Sequence, residues 1–230
     1  YDVTKAALIH LSKQLAAELA PKSRCFVGGT QAVYMSASNL YLATTRWPVW
    51  GLPATGITRT AFPNEIRTDI HKFALGPQGL EPLRFGDKSR SELAAHFQRD
   101  KNIISFSANT PDVPLLKGAQ DRLSVILQLS ALLAADPTRY PAGTMLSFQT
   151  VSQREAEVWQ FLVEKEEVLH LPFGEINAIK LNRKPRREFD QQIELWFAPT
   201  LGYLPVRLRI TNANGDFVDQ LLSKAEKPSP

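Results

Sequence analysis

The stretch Pro205-Val206-Arg207-Leu208-Arg209-Ile210-Thr211 decides the fold class of this chain. Its apolar and charged residues alternate, which is typical of a strand with one buried face and one face in water. Similar segments recur from residue 115 to 222 and are separated by turn-forming residues such as Asn212-Ala213-Asn214-Gly215. The pattern predicts one large antiparallel β domain.

Two helices are predicted beside these strands. Residues 3 to 20 carry leucines at helical spacing, and Pro21 ends that helix. A second helix is predicted over residues 122 to 134, with Asp121 as its cap and Pro137 beyond its end. We therefore expect a mainly β protein of the α+β class. It consists of a curved antiparallel sheet or partial barrel with one mid-chain helix, preceded by an N-terminal helix and a small β-hairpin region.

The composition predicts a folded protein and excludes several classes of site. Of 230 residues, 43% are hydrophobic, which is enough for a substantial core. The net charge of +4 comes without a dense basic array, so we expect no nucleic-acid partner. Cys25 is the only cysteine, so neither an intramolecular disulfide nor a zinc site is expected. The longest apolar run, near Leu123 to Ala135, is too short for a transmembrane segment.

The N-terminal helix carries a motif with catalytic character. The segment Tyr1-Asp2-Val3-Thr4-Lys5, continuing to residue 24, resembles the active-site helix of short-chain dehydrogenases/reductases. Spacing of one helical turn places the Tyr1 phenol and the Lys5 ammonium on one face, where the ammonium lowers the phenol's pKa. The resemblance implies an NAD(P)-dependent oxidoreductase in which Tyr1 and Lys5 are catalytic. The family's glycine-rich dinucleotide motif occurs nowhere in this chain.

A second resemblance covers residues 26 to 75. The hairpin with Val33-Tyr34-Met35-Ser36 and the strand Thr68-Asp69-Ile70-His71-Lys72-Phe73 resemble one blade of a bacterial secreted family with a C-terminal β-propeller. Residues 45 to 66 are rich in proline and glycine and predict a long loop. A propeller needs about four or more blades, so this segment alone does not predict that architecture.

The longest resemblance covers residues 79 to 226. Landmarks such as Gly118-Ala119-Gln120-Asp121-Arg122, Leu171-Pro172-Phe173-Gly174-Glu175 and Glu194-Leu195-Trp196-Phe197-Ala198 resemble the bacterial family known as domain of unknown function 3108. The resemblance implies an exported or periplasmic β domain without an established activity. Tyr1 opens the chain without a Met or a signal peptide, and three resemblances of unlike origin predict a chimera. The predicted organisation is a helix fragment over 1–25, a β-hairpin fragment with a long loop over 26–78, the β domain over 79–226 and a disordered tail over 227–230.

Two further groups of residues are candidates for binding. Trp159 and Trp196 are candidates for lining a groove that takes an apolar ligand, and the alternative is that Trp196 lies on a second packing face covered by the mid-chain helix. The basic tip, defined as Arg183, Lys184, Arg186 and Arg187, suits either anionic lipid or phosphate, or is simply a charged turn.

The leading functional expectation is a non-enzymatic, envelope-type β domain that binds an apolar small molecule or an envelope protein. It needs no cofactor and no metal. The alternative is a fragment of a short-chain oxidoreductase that binds NAD(P) and uses Tyr1 and Lys5.

Overall fold

The computed structural model describes residues 30–35, 39–46, 67–76, 79–88 and 92–224. Over these residues the chain forms fifteen β-strands, one α-helix and two short 3₁₀ turns. The expected mainly β fold with one mid-chain helix is confirmed. The helix predicted over residues 3 to 20 lies outside the described residues.

The first sheet is an antiparallel meander. Its strand order is β1-β2-β3-β4, so each strand pairs with the next one along the chain. The pairing of Met35 with Leu40 closes the hairpin that the sequence predicted in this region. The strands are β1 (Thr30–Met35), β2 (Asn39–Arg46), β3 (Arg67–Gly76) and β4 (Gly79–Pro82).

The second sheet has four short antiparallel strands in the order β5-β6-β7-β8. Its buried side chains, including Phe97 and Ile104, pack with Ala119 and Val151 of the following region. This contact attaches the second sheet to the third. The strands are β5 (Arg84–Lys88), β6 (Glu92–Gln98), β7 (Ile103–Phe106) and β8 (Val113–Pro114).

The third sheet has seven strands in the order β15-β14-β13-β12-β11-β10-β9. All its pairs are antiparallel except β9 with β10. The strands are β9 (Gln120–Asp121), β10 (Met145–Val151), β11 (Ala156–Leu171), β12 (Gly174–Arg183), β13 (Gln192–Ala198), β14 (Leu204–Thr211) and β15 (Phe217–Leu221).

One strand differs from the sequence-based expectation. The apolar pattern of the sequence predicts two strands, over residues 157–164 and 167–171, but both ranges belong to the single 16-residue strand β11. The register shifts between Val163 and Glu166, which is a β-bulge. A bulge inserts an extra residue without breaking the strand. In the sequence, this residue interrupts the apolar–polar alternation of β11 in the same way as a turn between two strands would.

Helix α1 (Ser124–Ala135) covers one face of the third sheet. The helix begins two residues later than predicted. The two 3₁₀ turns, at Pro137–Arg139 and Pro199–Leu201, follow later in the chain. Leu129 and Leu133 are fully buried against sheet side chains that include Phe161 and Leu195. We call this the helix face of the sheet.

The opposite face of the sheet has a core of its own. Leu169, Ile176, Trp196 and Val206 pack together there, away from the helix. The bulge explains this second cluster, because it moves the apolar residues of β11 beyond Val163 to the other face. Both faces of the third sheet therefore bury apolar side chains. Among the described residues, no helix is long and apolar enough to cross a membrane.

Candidate functional site

Trp159 lies on the helix face and is covered by charged side chains. Only 6% of it is exposed. The guanidinium carbon of Arg183 lies 4.2 Å from the ring centroid, and that of Arg122 lies 5.6 Å away. Such cation–π contacts stabilise the ring's position and shield it from solvent.

Trp196 lies on the opposite face and is 3% exposed. Lys180 Nζ and the Arg207 guanidinium carbon lie 5.2 and 4.6 Å from its ring centroid, and its indole N–H donates to the Glu167 carboxylate. Alternation along β13 explains why Trp196 lies on this face, because Leu195 faces the helix and the next residue of a strand points to the opposite face. The two tryptophans therefore belong to separate clusters on opposite faces of the sheet. The helix covers the Leu195 face, not Trp196, contrary to the alternative considered from the sequence.

The three arginines of the basic tip pair with carboxylates. Arg183 is 2% exposed, and its Nη2 lies 3.0 and 2.9 Å from the two oxygens of Asp190. Although partial burial raises the pKa of Asp190, hydrogen bonds from Arg183 and Arg186 outweigh it and hold that pKa well below its usual range. Arg186 and Arg187 both pair with Glu157. This arrangement favours a charged, self-paired turn over an open anion site.

The other candidates from the sequence take no part in these clusters. Tyr1 and Lys5 lie outside the described residues. Nowhere in the described part of the chain do three His, Cys, Asp or Glu residues come together in a way that could hold a metal ion.

A feature that the sequence reasoning missed lies at the end of the third sheet. Strand β15 is the outermost strand and pairs only with β14 among the described strands. Backbone N–H groups of Leu222 and Asn212 donate across to Val206 and Asp216 at 2.9 and 2.8 Å. Both bonds join even-numbered residues that stand opposite one another. The even-numbered pairs of this ladder are therefore its hydrogen-bonded pairs, and this assignment is the phase of the ladder.

The outward-pointing backbone groups follow from that phase. Hydrogen-bonded and non-hydrogen-bonded pairs alternate along an antiparallel ladder. Val218 and Gln220 therefore direct their N–H and C=O groups to β14. Those of Phe217, Asp219 and Leu221 point away from the sheet, to a side where none of the described strands pairs with β15.

The side chains of β15 are unusually apolar for such an edge. Phe217, Val218 and Leu221 are 55%, 57% and 43% exposed. Val218 extends the helix-face row that begins at Ile193 and Ile210, so this apolar row becomes exposed towards the edge. The strand Phe217–Leu221 has no lysine, proline or bulge, the devices that usually prevent edge pairing.

Asp219 is the one charged residue of β15, and two arginines hold it. Its carboxylate accepts from Arg207 Nε and Nη2 at 2.9 and 2.6 Å, and Arg209 Nη1 lies 3.8 Å away. Arg209 also stacks on Phe217, with its guanidinium carbon 4.2 Å from the ring centroid. The edge is therefore fixed to β14 by charge as well as by backbone bonds.

Comparison with protein families assigns the chain to a family. Residues 54–222 match the family described as "Protein of unknown function (DUF3108)". The chain belongs to this family. The match begins upstream of residue 79, where the resemblance in the sequence was expected to start, and includes β3 and β4. Neither a curated protein nor a solved structure shows significant similarity.

The signal that marks the edge is present in the sequence but is not specific. Phe217-Val218 is a pair of adjacent apolar residues in the last strand, and strict alternation in a half-buried strand does not produce such a pair. The sequence does not show that β15 stands at the edge, because strand order is a property of the folded sheet.

Proposed function

We propose that this chain is a non-enzymatic, exported β domain that binds a protein partner through the edge of β15. The observation that carries the proposal is an edge that no other described strand covers, whose outward backbone groups lie beside three exposed apolar side chains. Addition of a strand to such an edge is a common mode of peptide recognition, in which main-chain hydrogen bonds give affinity and side chains give specificity.

A protein partner is favoured over an apolar small molecule. The two tryptophans expected to line a ligand groove are buried under their neighbours on opposite faces of the sheet. The exported location is supported by the resemblance of residues 79 to 226 to an exported family, and fractionation of cells producing the natural gene product tests it.

Panning a displayed library of random short peptides against the full chain tests the binding function. We expect the selected peptides to lose binding to a Leu221→Glu variant, because a carboxylate beside the edge disfavours an apolar incoming strand. A Val168→Glu variant is the matched control, since Val168 is similarly exposed at 51% but lies on the interior strand β11. Peptides that bind both variants as well as the parent protein would show that the binding surface lies elsewhere.

A further inference from the structure

We infer that the strand taken up by β15 is β15 of a second copy of this chain, paired antiparallel about a two-fold axis at Asp219. This inference rests on the proposed edge-binding function and names its partner. A two-fold interface uses the same surface on both subunits, so the surface must be complementary to itself. The sequence and orientation of β15 meet that condition.

The backbone of β15 is complementary to itself in this register. Phe217, Asp219 and Leu221 direct both their N–H and C=O groups outward, as the ladder phase requires. With Asp219 opposite Asp219 of the second copy, Phe217 stands opposite the second copy's Leu221. Every one of these outward groups then has a partner, and the third sheets of the two copies form one continuous sheet.

The side chains agree with the same register. The phenyl ring of Phe217 and the side chain of Leu221 lie on the same face of β15, so each packs against the other residue type across the axis. Apolar side chains that stand opposite one another on neighbouring strands pack together and so stabilise a sheet. On the helix face, Val218 stands opposite Gln220 of the second copy, and the exposed end of the apolar row becomes covered.

The charge on the axis is compensated. Two Asp219 carboxylates meet there, and unpaired like charges directly opposite one another destabilise a sheet. Each carboxylate is already held by Arg207 and lies within 3.8 Å of Arg209. The axis therefore brings together two neutralised groups, not two free anions.

The contact is small, so the dimer is weak. Five residues of strand span about 17 Å, and an interface built around them falls at or below the low end of specific complexes, about 1,200 Å². We expect a concentration-dependent equilibrium between monomer and dimer.

Sedimentation equilibrium of the full chain measures that equilibrium. Leu221→Glu should weaken dimerisation by about tenfold or more, because the carboxylate faces Phe217 across the axis. Within its own sheet it pairs across the ladder with Arg207, so folding is preserved. Val168→Glu should dimerise like the parent protein. A parent chain that stays monomeric at high concentration, or equal weakening by both variants, would overturn the inference.

Cysteine pairing tests the register independently. In a Cys25→Ser background, a mixture of the Val218→Cys and Gln220→Cys chains should oxidise to the mixed disulfide in preference to either self-disulfide. These positions are opposed in a non-hydrogen-bonded pair, where Cα atoms lie about 4.5 Å apart, within disulfide reach. Equal amounts of mixed and self-disulfides would overturn the two-fold register. If the chain is monomeric but selected peptides still bind the β15 edge, the second-copy inference fails and the proposed function stands.

Discussion

The carboxyl group of Asp121 is buried at the start of α1, with no solvent exposure. Its Oδ1 accepts hydrogen bonds from the N–H groups of Leu123 and Ser124 at 2.8 and 2.7 Å. These bonds satisfy backbone donors at the start of the helix, which have no acceptor within the helix itself. Its Oδ2 has no hydrogen-bond partner within the described part of the chain. Burial raises the pKa of Asp121 from 3.8 to about 6, although the hydrogen bonds from Ser124 and Leu123 lower it in part.

This raised pKa predicts a pH-dependent stability with a definite sign. Between about pH 4 and pH 6 the unfolded chain has lost the Asp121 proton while the folded chain keeps it. The free energy of unfolding therefore falls as pH rises through this window, by roughly 2–3 kcal/mol from this residue, and its contribution is flat above about pH 6. Asp121→Asn should remove this slope while keeping an oxygen for the two N–H groups. Urea denaturation at a series of pH values measures it.

The variant must be compared with the parent protein at each pH, because other carboxylates titrate as well. Asp190 has the opposite sign: its lowered pKa gives stability that is present above pH 3.8 and is lost as pH falls below it. Asp112→Asn, at an exposed position, is the control for removing a carboxylate. If Asp121→Asn and the parent protein show parallel pH profiles, the carboxyl group titrates at its ordinary pH.

At the scale of elements, glutamine side chains join segments that are distant in the chain. The Leu80 N–H donates to Gln128 Oε1 at 3.1 Å, and Gln120 Nε2 donates to the Leu80 carbonyl at 2.8 Å. Leu80 belongs to β4, Gln120 to β9 and Gln128 to α1. These bonds fasten β4 onto the third sheet and its helix.

Gln128→Leu should release β4 at this point. The substitution keeps side-chain volume but leaves the buried Leu80 N–H without an acceptor, which costs about 1–3 kcal/mol. The free energy of unfolding should fall by that amount, and the Leu80 amide should exchange with deuterium faster. Hydrogen exchange followed by mass spectrometry measures the second effect.

Gln149 offers a matched control for that experiment. Its side chain accepts a bond from the Leu116 N–H at 2.8 Å, as Gln128 does from Leu80, and donates one to the Pro114 carbonyl at 2.9 Å, as Gln120 does to Leu80. Both Gln149 bonds lie at an exposed site. Water can replace these bonds, so Gln149→Leu should cost much less. Equal destabilisation by the two substitutions would show that burial does not set the cost.

The sequence predicts strands better than it predicts their places. Alternation correctly identified β14, and turn residues correctly separated β14 from β15. The bulge between Val163 and Glu166 was missed, because a local register shift depends on the neighbouring strand. Trp159 and Trp196 were grouped as one candidate site, since sequence alternation gives the face within a strand but does not relate the faces of two strands.

The buried glutamines and the edge strand were missed for a related reason. Glutamine is usually exposed, and only the folded chain brings Leu80 against Gln120 and Gln128. Likewise, the exposure of Phe217 follows from the position of β15 at the end of the sheet order, which no local pattern determines. Local sequence patterns do not show which segments that are distant in the chain come into contact.

At the scale of the whole molecule, β4 belongs to two structures at once. It is the last strand of the first sheet, where Leu80 pairs with Leu75 of β3. It is also fastened to the third sheet and α1 through the glutamines. The family match over residues 54–222 includes both strands, whereas the sequence placed a domain boundary at residue 79, between them.

Two truncated chains distinguish these boundaries. A chain of residues 79–230 keeps β4 but lacks β3, so the β4 edge that faces β3 is left unpaired. A chain of residues 67–230 keeps the β3–β4 pair. If β3 is part of the folding unit, the shorter chain should melt lower, by roughly 4 °C for each 1 kcal/mol lost, and its β4 amides should exchange faster. Circular dichroism melting and hydrogen exchange measure both effects. Equal melting temperatures and equal protection of β4 would instead place the boundary at residue 79, since the unit would then be complete without its neighbour strand.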